Sequence, residues 1–408
     1  MVAEKVVRWH CPTAWTGGGF EADVVVEVEN DVISAVRSGV PFGAGMRPLT
    51  GVVFPGFANT HSHVFHRLLR GHVGSSRGDF WSWRDAMYAV ADALDPDSYR
   101  AVAAATFTEM VAAGYTSVAE FHYLHHQPGG MPYADQNVMG DALVDAATEA
   151  GIRLTVLDTC YLSAGFGEAP VGAQLRFADS SVERWAERVD AWKPVGEVVV
   201  GAAIHSVRAV DPRSCAVVAS CAEGGPLHIH LSEQPAENEG CVAAYGATPT
   251  QVLADAGALG STTTVVHATH VAAADIVLLA ESGATASICP TTERWLADGI
   301  GPTRALADAG VPLAIGSDSQ AVIDPFEEVR LLELHQRLAT GQTGSHDVAD
   351  LIRAGTGSPV LVAGGPSDLV AVDMTTPRTA GVAAEGVLFA VTAADVTGVV
   401  SAGRRLLA

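Results

Sequence analysis

Residues 51–63 read Gly51-Val52-Val53-Phe54-Pro55-Gly56-Phe57-Ala58-Asn59-Thr60-His61-Ser62-His63, and this stretch decides the fold. The apolar run at its start is typical of a buried strand. In an extended segment the side chains repeat every two residues, so His61 and His63 point the same way. Imidazole is the commonest protein ligand for metals, and a catalytic zinc site uses three protein ligands and one open position. The stretch therefore predicts part of a catalytic metal site at the carboxyl end of a strand.

Three further apolar runs carry a metal-type ligand at or near their ends. These runs are residues 226–233 with His230, residues 263–270 with His267, and residues 311–319 with Asp318. Four strand ends with such side chains predict that these metal-type side chains meet at one edge of a sheet.

Alanine-rich segments of helical character alternate with these strands. They are Tyr99–Ala113, Asn137–Ala150, Ser181–Trp192, Thr248–Ala256 and Pro325–Leu338. Alternating strands and helices indicate βαβ units and a parallel sheet. About 300 residues of this pattern fit an α/β fold of the (β/α)₈ TIM-barrel type, in which chemistry lies at the carboxyl ends of the strands.

Both ends of the chain are rich in short strand-like runs instead. These are residues 23–28 and 32–36 near the start, and residues 368–373, 387–391 and 396–400 near the end. We expect a small composite β-sandwich domain built from residues 1–54 together with 359–408. The catalytic barrel is then expected to span residues 55–358.

Composition narrows the possible partners. Of the 408 residues 48% are hydrophobic and 17% charged, which indicates an ordered core, and the net charge is −22. So acidic a chain lacks the basic patches that nucleic acids or anionic membranes require. The six cysteines show no CxxC pair, the start lacks signal-peptide features and no apolar run spans a bilayer. We expect a soluble cytoplasmic protein that acts on a small molecule.

Five further segments give the chain a family likeness. They are Phe80–Tyr88, Ala119–His126, His205–Val210, His228–Gln234 and Val266–His270. With the ligands above, they make the chain resemble the amidohydrolase superfamily and, within it, the formimidoylglutamate deiminases. The resemblance implies one divalent metal ion per chain, expected to be zinc, and a homodimer. The implied metal ligands are His61, His63, His230 and Asp318.

The lysine content bears on the number of metal ions. Some binuclear amidohydrolases bridge two metals through a modified lysine on a barrel strand. This chain has only Lys5 and Lys193, and neither lies at such a strand end. A lysine-bridged pair of metals is therefore excluded, and a mononuclear site is expected.

The resemblance also implies a reaction. Zinc lowers the pKa of bound water to about 7. The zinc-bound hydroxide would attack the formimidoyl carbon of N-formimidoyl-L-glutamate, and His267 and Asp318 would accept the proton. Glu233 would shuttle protons to the leaving nitrogen, so that N-formyl-L-glutamate and ammonia form.

The implied substrate is a dicarboxylate, which needs local cations in so acidic a chain. The family match assigns substrate contact to Tyr123, His205 and Arg208, and Arg84 is a second arginine candidate, while Glu233 would contact the substrate amidine. His66 stands where family members often carry glutamine, and it is expected to contact a carboxylate too. This departure leaves open a different formimidoyl amino acid as substrate. The sequence is also compatible with a heterocyclic substrate such as guanine, or with a role in binding without catalysis.

Overall fold

The computed structural model describes residues 6–72, 80–196, 198–222, 224–357 and 360–407. Its strands are β1 (Val7–Trp15), β2 (Phe20–Glu29), β3 (Val32–Arg37), β4 (Arg47–Pro48), β5 (Val52–Pro55), β6 (Phe57–Ser62), β7 (Tyr115–His122), β8 (Arg153–Cys160), β9 (Val198–Ile204), β10 (Leu227–Leu231), β11 (Thr263–His267), β12 (Thr285–Ile288), β13 (Leu313–Ile315), β14 (Leu369–Val372), β15 (Val396–Ser401) and β16 (Arg404–Leu407). Its helices are α1 (Phe80–Ala93), α2 (Pro96–Ala113), α3 (Val138–Ala150), α4 (Val182–Ala191), α5 (Pro212–Cys221), α6 (Pro235–Tyr245), α7 (Pro249–Asp255), α8 (Ala273–Ser282), α9 (Pro290–Leu296), α10 (Thr303–Asp308), α11 (Pro325–Thr340) and α12 (Val348–Thr356). Within these ranges, no helix combines the length and apolar character that a membrane crossing needs.

The middle of the chain forms the predicted parallel barrel. Strands β6 to β13 lie side by side in chain order in one eight-stranded sheet, and helices follow the strands around its outside. All five helical segments predicted above are helices, with boundaries shifted by a few residues. Helix α2 illustrates the local signals, since Asp95 and Ser98 form a capping box at its start and Gly114 ends it in a left-handed conformation.

The barrel closes where its first strand meets the segment after its last strand. The backbone N–H of Asp318 donates to His61 O at 3.0 Å, and the N–H of His63 donates to Asp318 O at 3.0 Å. Side chains complete the seam, because Asn59 Nδ2 donates to Ser317 Oγ at 2.7 Å and the hydroxyl of Thr60 donates to Ile315 O at 2.8 Å. The residues that close the barrel are thus the neighbours of the predicted metal ligands, or those ligands themselves.

Both termini build a second sheet, as predicted. Its path runs β16-β15-β14-β5-β1-β2-β3, and β4 pairs with β1. The antiparallel pairing of β5 with β14 joins the N-terminal strands to the C-terminal ones. All strands of this sheet lie within residues 7–55 and 369–407. The domain limits 1–54 with 359–408 stay a prediction, because residues 358 and 359 lie outside the described part of the chain.

The apolar run at residues 51–57, which the sequence indicated as one buried strand, is divided between the two sheets. Val52–Pro55 belongs to the terminal sheet, and the barrel strand begins only at Phe57. Gly56 separates the two, where a Cβ atom would lie 2.3 Å from Thr116 Oγ1 and 2.6 Å from Asp368 Cβ. Only glycine fits so close an approach of the backbone to its neighbours.

The prediction of a strand at residues 387–391 is wrong. Ala384–Phe389 forms a 3₁₀ helix that buries Val387 and Leu388. The carbonyls of Leu388 and Val391 accept hydrogen bonds from the guanidinium of Arg330 at 3.3 and 3.1 Å. A short apolar run is compatible with a strand or a helix. Here the Arg330 side chain from α11, and not a neighbouring strand, donates hydrogen bonds to the backbone carbonyls.

A buried ionic network lies under the loop that follows β7. Arg188 on α4 donates to both carboxylate oxygens of Asp158, at 2.7 and 2.8 Å, and to Asp179 at 2.9 Å. His126 contacts the same Asp179 at 3.2 Å, and His125 donates to Thr159 O at 3.0 Å. The Arg188 guanidinium already binds both oxygens of the Asp158 carboxylate and balances its charge. This carboxylate is therefore not available as a ligand for a metal ion.

We expect Arg188→Met to lower the free energy of unfolding by about 3–5 kcal/mol, because two buried carboxylates lose their partner. Chemical denaturation in urea measures this change. Arg184→Met is the matched control, since Arg184 lies on the same helix with 57% of its side chain exposed. The control should change stability by no more than about 0.5 kcal/mol. Equal, small effects of both variants would contradict a structural role for the network.

Candidate metal centre

Three histidines and one aspartate converge at the carboxyl ends of the barrel strands. The Nε2 atoms of His61 and His230 lie 3.1 Å apart, and Asp318 Oδ1 lies 3.5 Å from Nε2 of both His61 and His63. All four side chains are at least nine-tenths buried. The structure thus brings together the four residues that the sequence predicted as metal ligands.

Backbone carbonyls orient two of these imidazoles. His63 Nδ1 lies 3.0 Å from Phe121 O, and His230 Nδ1 lies 2.9 Å from His205 O. A carbonyl oxygen only accepts, so each Nδ1 carries the proton and each Nε2 presents a lone pair to the centre. Such outer contacts fix the tautomer of metal-binding histidines in general.

The electrostatics of the group suit a cation. Burial lowers the pKa of His61, and lowers the pKa values of His63 and His230 well below their usual range. Burial alone would raise the pKa of Asp318, but the hydrogen bond and charge of His61 and its neighbours hold that pKa far below normal. Neutral imidazole lone pairs and an ionised carboxylate that face one another are the donor set of a divalent metal ion. The residues present therefore fit such an ion.

The backbone at this edge of the barrel adopts conformations that non-glycine residues rarely take. Positive φ angles occur at Ser232 (49°), His267 (72°), Ala268 (50°) and Asp318 (44°). They follow or end strands β10, β11 and β13, and Asp318 itself lies three residues beyond the end of β13. Such strain clusters at functional sites, where the surrounding structure holds a side chain in place.

His267 lies beside this group and links it to two glutamates. Its Nε2 is 3.8 Å from Asp318 Oδ2 and 3.9 Å from Glu233 Oε1, while its Nδ1 is 3.3 Å from Glu293 Oε1. Burial would lower the pKa of His267, but the charge of Glu233, the Glu293 hydrogen bond and Asp318 raise it to about 10. Glu233 is no helix cap, since Gln234 occupies the position before α6.

A pocket opens from this centre. Among the described residues, its wall contains every substrate contact predicted from the sequence, namely His66, Arg84, Tyr123, His205, Arg208 and Glu233. His66 Nε2 lies 2.8 Å from the Tyr123 hydroxyl, which holds both side chains in the wall. Burial lowers the pKa of His66 to about 4 and that of His205 to about 3, so both are neutral at pH 7.

Arg208 in the wall of the pocket contacts two glutamates. Its Nε lies 3.5 Å from Glu237 Oε2, and one of its terminal nitrogens lies 4.0 Å from Glu233 Oε2. About a third of its side chain is exposed (32%). The guanidinium therefore has one side held by protein carboxylates and another open to the pocket.

Sequence reasoning missed four residues that bear on this site. Glu293 contacts His267 from α9, Glu237 contacts Arg208, and Tyr88 and Tyr161 line the pocket. Of these four, only Tyr88 could have been predicted from the sequence. It lies one helical turn after Arg84 on α1, and side chains at positions i and i+4 share a face of a helix. The other three come from separate elements that only the fold brings together.

Comparisons with known proteins agree with this geometry. A model of the amidohydrolase family matches residues 52–373. The formimidoylglutamate deiminase of Pseudomonas aeruginosa is 38% identical over 328 residues, which cover 78% of this chain and 72% of that protein. The 5-methylthioadenosine/S-adenosylhomocysteine deaminase of Halobacterium salinarum is 31% identical over 355 residues, or 86% of this chain and 76% of that protein. A crystal structure of an amidohydrolase from Brucella melitensis has a TM-score of 0.89 at 32% identity, covering 98% of this chain and 94% of that one.

We expect about one divalent ion per chain, measured by elemental analysis of the purified protein. His230→Ala should lose most of it, because it removes one of the three imidazoles that face the centre. His228→Ala is the control, since His228 lies two residues earlier on the same strand and is also buried, but its ring is not among the converging groups. Two tightly bound ions, or equal metal loss in both variants, would contradict this assignment.

Proposed function

This chain belongs to the amidohydrolase family and is a hydrolase acting on C–N bonds, and we propose that its substrate is N-formimidoyl-L-glutamate. The products would be N-formyl-L-glutamate and ammonia, a step of histidine degradation. Similarity to the P. aeruginosa deiminase supports this substrate. Similarity to the H. salinarum deaminase makes a heterocycle such as guanine the second candidate.

The observation that carries the proposal is the charge distribution in the pocket. Arg84 and Arg208 line the same pocket as Glu233, in a chain of net charge −22. A substrate with two carboxylates and one amidine fits two guanidiniums and one carboxylate, because guanidinium binds carboxylate through paired hydrogen bonds. A neutral purine would offer neither arginine an anionic group.

The size of the pocket bears on nucleoside substrates. Its cavity volume is about 90 Å³, whereas pockets for drug-sized ligands are typically ~300–1,000 Å³. Nucleosides and their adducts belong to the larger class. The size of the pocket thus argues against a nucleoside substrate and does not separate the acyclic amino acid from a free base such as guanine.

We propose that His61, His63, His230 and Asp318 hold one divalent ion, with zinc as the expected metal. The ion would supply Lewis acidity and lower the pKa of a water molecule at its open position. The chain's own contribution is to fix the tautomers of the histidines and to keep the carboxylate of Asp318 ionised. Both follow from the contacts and pKa shifts described above.

Hydrolysis of the formimidoyl group moves two protons. Water gives its oxygen to the formimidoyl carbon, and both of its protons finally reach the nitrogen that leaves as ammonia. Asp318 Oδ2 lies 3.8 Å from His267 Nε2 at the centre, so the ionised Asp318 can take up the first proton. The expectation that His267 also accepts a proton does not fit its raised pKa of about 10, which makes it a hydrogen-bond donor to the reacting groups instead. Glu293 accepts from His267 Nδ1 and thereby keeps Nε2 turned toward the reacting groups.

Glu233 is placed to carry protons to the leaving nitrogen. Its carboxylate lies 3.9 Å from His267 Nε2 on one side and 4.0 Å from Arg208 on the other, at the wall of the pocket. A carboxylate there can bind the amidine nitrogens, orient them and then donate a proton to the departing one. His205, Tyr123 and His66 offer neutral hydrogen-bonding groups to the rest of the substrate.

An ammonia-release assay tests the proposal directly. We expect the metal-loaded protein to release ammonia from N-formimidoyl-L-glutamate at a much higher rate than it deaminates guanine. The change in ultraviolet absorbance measures the rate with guanine. A formimidoyl amino acid of another chain length is the third substrate, because His66 replaces the more usual glutamine. Turnover of guanine in preference to both formimidoyl compounds would favour the heterocycle instead.

Glu233→Gln should retain the metal ion and lose most of the rate. Proton transfer by a positioned side chain contributes about 10²–10⁴-fold, and glutamine cannot transfer the proton. Glu237→Gln is the matched control, because Glu237 also contacts Arg208 yet does not line the pocket. We expect the control to keep kcat within about threefold. If Glu233→Gln did the same, Glu233 would have no part in the chemistry.

A further inference from the structure

Gln174 joins two tyrosines in the wall of the pocket. Its Nε2 lies 3.0 Å from the Tyr88 hydroxyl and 3.1 Å from the Tyr161 hydroxyl. Tyr88 lies on α1, Tyr161 directly follows β8, and Gln174 lies in the 3₁₀ helix Gly172–Arg176. Gln174 is buried and does not itself line the pocket, whereas both tyrosines do.

The orientation of the Gln174 amide is fixed by a second contact. The backbone N–H of Val171 donates to Gln174 Oε1 at 3.1 Å. An N–H group needs an acceptor, so the oxygen of the amide faces Val171 and the nitrogen faces the tyrosines. The amide therefore donates one N–H to each tyrosine oxygen.

This geometry leaves both tyrosine protons for another acceptor. Each hydroxyl oxygen accepts from Gln174, so its own O–H must point elsewhere. Within the described part of the chain, the hydrogen bond recorded for each hydroxyl is the one from Gln174. Burial raises the pKa of both Tyr88 and Tyr161, so both phenols keep their protons at neutral pH.

The surroundings of the two hydroxyls favour an anion. The guanidinium of Arg84 lies 5.5 Å from the centre of the Tyr88 ring, and Arg208 lines the same pocket. Two hydroxyl donors beside two guanidiniums make this part of the pocket wall rich in hydrogen-bond donors. A carboxylate is the ligand group that such donors bind best.

This wall lies beyond the first layer of side chains around the metal centre. The ring of His205 packs on His230 at 5.3 Å between centroids, and the ring of Tyr161 packs on His205 at 4.8 Å. Tyr161 is thus one ring further from the centre than His205, and Gln174 and Tyr88 follow it. A substrate whose formimidoyl group reaches the centre would direct its far end to this wall.

We propose that Tyr88 and Tyr161 donate their hydroxyl protons to the side-chain carboxylate of the substrate, and that Gln174 is the positioning residue that turns both protons toward it. This subsite rests on the proposed function and deepens it, because it distinguishes glutamate-derived substrates from amino acids without a second carboxylate. Its residues come from three different elements, and none was identified from the sequence.

Steady-state kinetics with two matched substrates test the subsite. N-formimidoyl-L-norvaline carries a methyl group where N-formimidoyl-L-glutamate has its side-chain carboxylate. We expect Tyr88→Phe and Tyr161→Phe each to raise KM for the glutamate compound by about 10–100-fold, as for hydrogen bonds to a charged group, with kcat nearly unchanged. KM for the norvaline compound should change less than about threefold. An equal rise for both compounds, or no rise for either, would overturn the subsite.

Two substitutions at Gln174 separate positioning from packing. Gln174→Leu removes the donor, and Gln174→Glu keeps the shape and the contact to Val171 N but offers only acceptors to the tyrosines. In Gln174→Glu the tyrosine protons turn toward the new carboxylate, so KM for the glutamate compound should rise more than in Gln174→Leu. Melting temperatures report folding independently. If Gln174→Glu kept the KM of the unaltered protein, Gln174 would have no positioning role.

Direct binding separates failure of the subsite from failure of the proposed function. Calorimetric titration of the metal-loaded protein with N-formyl-L-glutamate and N-formyl-L-norvaline needs no turnover. Tighter binding of the glutamate compound that is lost in Tyr88→Phe supports the subsite, even if no formimidoyl compound is hydrolysed. Turnover of N-formimidoyl-L-glutamate combined with equal binding of both formyl compounds would overturn the subsite and leave the proposed function standing.

Discussion

The site depends on the two backbone hydrogen bonds that close the barrel. They join His61 and His63 on the first strand to Asp318 after the last one, each at 3.0 Å. A barrel of eight parallel strands brings the ends of its chain order together, so residues more than 250 positions apart become neighbours. Because the bonded residues are the proposed metal ligands, closing the barrel also brings the proposed metal centre together. The left-handed backbone of Asp318 is the local cost of that arrangement.

The pocket of this acidic chain contains cationic as well as anionic side chains, since Arg84 and Arg208 line it together with Glu233 and Asp318. The chain carries 46 acidic and 24 basic residues, yet two arginines face one pocket. The negative net charge of the chain does not attract an anionic substrate over long distances. Recognition of such a substrate therefore rests on short-range contacts inside the pocket. Arg208 illustrates the balance, since Glu233 and Glu237 hold one side of it while the other remains open to a ligand.

The fold and the converging side chains could be predicted because each depends on local patterns. Alternating strands and helices indicated the barrel, and His61, His63, His230 and Asp318 each lie at or just past a strand end, where barrel chemistry occurs. The sequence placed the domain boundary close to residue 55, but the need for glycine at position 56 escaped prediction, since only the nearby Thr116 and Asp368 make a side chain impossible there. Glu293, Tyr161 and Gln174 escaped for the same reason. Their meaning comes from contacts between elements far apart in sequence, which no spacing encodes.

A zinc-loaded crystal, with diffraction measured on both sides of the zinc absorption edge, tests the central claim most directly. The account predicts one strong anomalous peak per chain, within bonding distance of Nε2 of His61, His63 and His230 and of an Asp318 oxygen. His122, His125 and Asp158 are a second group of buried metal-type side chains among the described residues. A peak at that group, or none at the barrel's carboxyl edge, would contradict the account.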